Sequence, residues 1–103
     1  MTQPTQSVNF AGSKTLTDRS GTIAVANTSQ QLMPANPTRD GYMIQNNGSV
    51  VIWINDTGIA AVASQPSIQI AVGATYTPPG GGVSNQQINV VSAAGGAWSA
   101  REW

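Results

Sequence analysis

The stretch NNGSVVIWINDTG, residues 46–58, is the tightest constraint on what this chain can become. Its Asn47-Gly48 pair is a strong hairpin signal and predicts a strand beginning at Ser49. A strand with one wet face alternates apolar and polar side chains. This one does not, because Val50, Val51, Ile52, Trp53 and Ile54 follow one another without a polar break. Both of its faces need cover, in a chain whose pattern contains no helix to supply it.

A two-residue type I′ turn at Asn47-Gly48 sets Gln45 opposite Val50, Ile44 opposite Val51, Met43 opposite Ile52 and Tyr42 opposite Trp53. Tyr42, Ile44, Val51 and Trp53 then share one face, with bulk enough for a sandwich core. Met43, Val50, Ile52 and Ile54 share the other, too apolar for water, and are expected to form an oligomer interface with a second copy of the chain. The alternative is a second sheet that wraps both sides.

The rest of the sequence reads as short β-rich runs parted by turn residues, with long helix-forming side chains scarce. Strands are expected over 22–26, 30–33, 42–46, 49–54, 67–72, 87–92 and 97–102. The segments PANPTRDG, NDTG and TPPGGG break them. The expected fold class is all-β, a single small β-sandwich or jelly-roll-like domain over 19–103 with an extended N-terminal arm over 1–18. The arm is rich in Thr, Gln, Ser and Asn, and its one aromatic residue, Phe10, is its natural anchor on a neighbouring surface. Trp98 is expected to close the core. Trp103 is expected to pack back on its own sheet or to pin the subunit to a neighbour, and Arg101 to be solvated or to meet Glu102 of another copy.

A chain of 103 residues and 10.6 kDa buries only about 64% of its unfolded surface by folding alone. It has no cysteine for disulfides and no histidine, so association is the staple that remains, and a homo-oligomer, a trimer first, is expected. Four basic and four acidic residues, 8% of the chain, offer little charge repulsion against self-association. Lys14, Arg19, Arg39 and Arg101 are scattered, so binding to nucleic acid or an anionic membrane is not expected. The opening MTQPTQSVNF has neither the charged head nor the apolar middle of a signal peptide, and no apolar run reaches the length of a membrane span. Synthesis in the cytoplasm is expected.

No constellation for catalysis emerges. A nucleophilic arrangement without His or Cys would need Lys14, in the arm. The carboxylates Asp18, Asp40, Asp56 and Glu102 include two, Asp40 and Asp56, that sit in turn sequences. The loop PPGGGVSN, 78–85, lacks the lysine and helix start of a phosphate cradle. No catalytic residue, no metal and no cofactor is expected, and the sequons at Asn27, Asn47 and Asn55 are read as turn composition.

The segments QLMPANPTRDGYMIQNNGS, VIWINDTGIAA, PSIQIAVGATYTPP and WSAREW resemble the small β-sandwich virion proteins of tailed bacteriophages, over roughly residues 21–103. Asn36, Pro37, Arg39, Gly41, Gln45 and Asn46 match one segment of that pattern, and Trp53, Asn55, Gly58, Ala60 and Ala61 a second. The resemblance implies a virion component on the capsid surface, a cement or decoration protein that binds the major capsid protein and stabilises the shell. Phe10 and Trp103 would then be contacts to the capsid or to a neighbouring copy. The alternative it implies is a head-fibre or tail-associated adaptor, with aromatic side chains stacking on a sugar.

Overall fold

The computed structural model describes residues 14–103, and every regular element in that range is a strand. The strands are β1 (Thr17–Asp18), β2 (Gly21–Thr22), β3 (Gln30–Met33), β4 (Tyr42–Asn46), β5 (Ile52–Asn55), β6 (Ile68–Ile70), β7 (Thr75–Tyr76), β8 (Ile88–Ser92) and β9 (Ala97–Glu102). They form two antiparallel sheets: β1-β9-β4-β7, with β2 also on β9, and β3-β8-β5-β6. β1 and β2 lie end to end along β9 as one interrupted edge strand, bridged by Arg19 N–H donating to Ala100 O at 2.7 Å. Counted so, each sheet has four strands, and every connection between them except β5–β6 crosses from one sheet to the other. That order is the jelly roll, and the chain is a small β-sandwich.

The Asn47-Gly48 hairpin does not form. β4 has β9 on one side and β7 on the other, so no edge is left for β5, which lies in the opposite sheet. A type I′ turn needs φ > 0 at both central residues, and neither Asn47 nor Gly48 has it. The segment is a crossover, held by Asn46, whose buried amide donates to Val50 O at 2.8 Å and Ile70 O at 3.1 Å while its oxygen accepts from Gly48 N–H at 2.9 Å. Gly48 is glycine for close approach: a Cβ there would lie 3.3 Å from the Gly96 Cα.

Ile52 and Ile54 are therefore not an oligomer interface. They point between the sheets, 2% and 0% exposed, beside Ile44, Tyr42, Ile70, Ile88, Val90 and Trp98 of the core. Strand alternation starts at Ile52 and sends Trp53 outward, half-buried, next to the buried Val91. That outer face is covered in part by the protein's own 56–67 connection. Asn89, outward between Ile88 and Val90, donates to Ile59 O at 2.7 Å, and Ala61 N–H donates to the Ser29 hydroxyl at 2.9 Å, so the loop crosses from β5 over β8 toward β3. The extra apolar residues of the 50–54 run thus find most of their cover within one chain.

The arm boundary also moves. Thr17 and Asp18, assigned to the arm, pair with Glu102 and Arg101 in the first sheet. Phe10 lies outside the described residues.

Candidate functional site

One end of the sandwich, where the 34–41 and 77–87 connections meet the end of β9, collects the chain's buried charge. Arg39 and Glu102 are 6% and 1% exposed and form an ion pair, Nε to Oε1, at 2.8 Å. Burial pushes the Glu102 pKa up. Hydrogen bonds from Arg39, Asn36 (3.1 Å) and Arg19 (2.6 Å), with the Arg39 charge, together outweigh it and hold the group below the ordinary glutamate value. The rest of the Arg39 fork donates to Ser84 O, Gln86 O and Pro34 O at 2.7, 3.0 and 2.7 Å, so that, with the bond to Glu102, four of its five N–H groups are engaged. One side chain thereby ties two connections to the end of β9. Asn36 works on both sides: its amide reaches Glu102 while its oxygen accepts from Thr38 N–H and hydroxyl.

Beside this network the Tyr42 hydroxyl donates to Asp56 at 2.8 Å. Burial first, then that bond and the carboxylate's charge, push the phenol well above its ordinary range and keep it protonated. The Asp56 carbonyl in turn accepts from the Ser84 hydroxyl, which pins the base of the 77–87 connection.

Above that base opens a cleft of about 280 Å³. It is lined by Trp103, Gly41, Tyr42, Pro78, Pro79 and Val83, together with the exposed Asp40. Trp103 extends β9 by pairing with Gly41, N–H to O at 3.0 Å in both directions, and its ring lies so close that a Cβ on Gly41 would fall 2.5 Å from it. Any larger residue at 41 would displace the Trp103 ring. The lining is almost wholly apolar, and its one charged group, Asp40, is held by Lys14 Nζ at 2.6 Å. Such a cleft suits an apolar side chain with a cation near the rim rather than a sugar, which would need convergent polar groups.

The residues singled out from sequence are dispersed. Trp103 is half-buried at the cleft, as one of its two expected arrangements had it, packed back on its own sheet. Met43 and Val50 are part-exposed, Met43 on the outer face of the first sheet opposite Arg101, but they do not form one face with Ile52 and Ile54. Trp98 is in the core with its indole N–H donating to Arg19 O at 2.9 Å. Arg101 is exposed, and Glu102 is fully engaged inside its own chain. Sequence reasoning missed the Arg39–Glu102 pair and the cleft; the only available signal was an arginine and a glutamate in a chain with so few charges. Of the exposed large apolar residues, Ile59 and Val62 both lie on the 56–67 connection.

The described residues contain no cluster of three or more potential metal-ligating side chains, and no helix among them is long and apolar enough to cross a membrane. The chain matches no family model, no curated protein and no solved structure.

Proposed function

We propose that this protein is a capsid decoration protein of a tailed bacteriophage, binding the outer shell as a homo-oligomer, a trimer first, and clamping neighbouring major capsid subunits. The observation that carries the reading is the jelly-roll strand order, an architecture used for viral capsid and lectin domains, in a chain whose segments resemble small virion proteins. Fold alone does not fix function, so the surface has to decide between these uses. Its features favour a protein contact over a sugar: the cleft is apolar rather than polar, and Ile59 and Val62 stand exposed on the 56–67 connection. That connection replaces the 50–54 strand as the surface through which copies meet.

The mechanism is one of binding. Each interface formed only on the closed shell lowers its free energy relative to the opened one, and linked copies turn weak contacts into avid ones. The test is add-back. Purified protein is mixed with shells of its own phage stripped of it, and the temperature of shell rupture is read. Bound protein and a higher rupture temperature are expected. Absence of binding, with labelled protein found in the tail or a fibre, replaces this reading with the adaptor. A shortened chain for such work should begin at Lys14, since a start at Arg19 removes β1 and the Lys14–Asp40 pair.

A further inference from the structure

We propose that Asn47 is a latent deamidation site, held unreactive by the hydrogen bonds of the crossover in which it sits. The inference concerns the chain's own covalent chemistry and stands whether or not the protein decorates a capsid. Asn47 is the only asparagine followed by glycine, and it is exposed to water. The reaction open to such a pair needs no enzyme. The Gly48 amide nitrogen loses its proton to hydroxide and attacks the Asn47 side-chain carbonyl carbon. The new N–Cγ bond closes a five-membered imide, and the side-chain nitrogen takes a proton from water and leaves as ammonia. A second water opens the imide to aspartate or to isoaspartate, whose backbone carries one extra carbon. Glycine as the following residue makes the approach easy, since no Cβ shields the attacking nitrogen.

In the fold both reacting groups are taken. Gly48 N–H donates to Asn46 Oδ1 at 2.9 Å, which holds the proton that must leave first. The Asn47 carboxamide donates to the Ser99 hydroxyl on β9 at 2.6 Å, which holds the carbon to be attacked. The backbone is fixed as well. Asn47 N–H donates to Ala97 O at 3.0 Å, and Gly48 packs on Gly96 so tightly that a Cβ on Gly48 would lie 3.3 Å from the Gly96 Cα. Closing the imide requires the peptide between 47 and 48 to turn against these restraints, so the reaction waits on local opening of the crossover. An isoaspartate at 47 would lengthen the path between β4 and β5 and carry Gly48 out of register with Asn46 Oδ1 and Gly96, so a converted chain could not re-form the clamp.

Peptide mapping by mass spectrometry tests this on full-length protein held at body temperature and mildly alkaline pH, native and in guanidinium. Conversion at Asn47 is expected to be slower in the native chain than in the unfolded one by roughly tenfold or more. Ser99→Ala, which frees the carboxamide without touching the core, should speed native conversion several-fold at an unchanged melting temperature. Asn47→Gln should abolish the converted species. Conversion as fast in the native as in the unfolded chain overturns the proposal, and so does a folded Ser99→Ala chain that converts no faster than wild type. Conversion of the 46–48 segment that persists in Asn47→Gln overturns it too, by placing the reaction on Asn46.

Discussion

Arg39 and Glu102 show how much a chain with few charges can ask of one pair. Both are buried, so removing one partner leaves the other short of compensation in a poorly solvating site. Arg39→Met should cost about 3 kcal/mol in urea-induced unfolding, whereas Ala at the exposed Arg101 should change stability by less than about 0.5 kcal/mol. The same pair sets the acid limit. Because the folded-state pKa of Glu102 lies below its unfolded value, its contribution is fully present above the ordinary glutamate pKa of about 4.3 and is lost as pH falls through the lower folded one. Melting temperature should therefore drop as the pH is taken below about 4, and Glu102→Gln, less stable at neutral pH, should flatten that slope. A melting temperature independent of pH down to 3 would contradict this role for Glu102. None of this was legible in the sequence, where Glu102 is one letter in a strand end and its three partners are distant: Arg19 and Asn36 by 83 and 66 positions, Arg39 by 63.

At the scale of elements, alternation and turn residues located most strands: β3, β4 and β9 have the expected bounds, and β8 differs by one residue. β1 and β7 were not anticipated, since two-residue strands carry no period to read. The failure at Asn47-Gly48 has a clear cause. A hairpin is a local preference of order 1 kcal/mol, and here β9 and β7 take both sides of β4, so tertiary pairing overrides it. What the sequence did carry was the demand for cover on both faces of 50–54, which the opposite sheet and the 56–67 connection meet in large part. The crossover makes Asn46 the residue that matters. Asn46→Ala, which strands two buried carbonyls and the Gly48 amide, should cost about 2 kcal/mol, and Asn47→Ala much less, as read from chemical denaturation. An I′ hairpin would predict the reverse. Ile54→Ala should cost 2–4 kcal/mol (roughly, for a fully buried isoleucine), and Ile52→Asp should abolish the strand signature in circular dichroism rather than yield a folded monomer.

The whole molecule is a jelly roll with a buried ion-pair network at one end and a surface that carries a few exposed apolar side chains and little charge. If Ile59 and Val62 lie between copies, sedimentation equilibrium at micromolar concentration should give a multiple of 10.6 kDa that changes little with salt, and Ile59→Asp should shift it toward the single chain without unfolding it. A wild-type species at the monomer mass would remove the oligomer from the proposal. The capsid reading itself meets its most direct test in a cryo-electron microscopy map of the virion that carries this chain. Density is expected for the two four-stranded sheets on the outer face of the shell, repeated at its symmetry axes, with the 56–67 connections turned toward one another. Density confined to the tail or to a fibre, or a shell with nothing bound to its outer face, would contradict it.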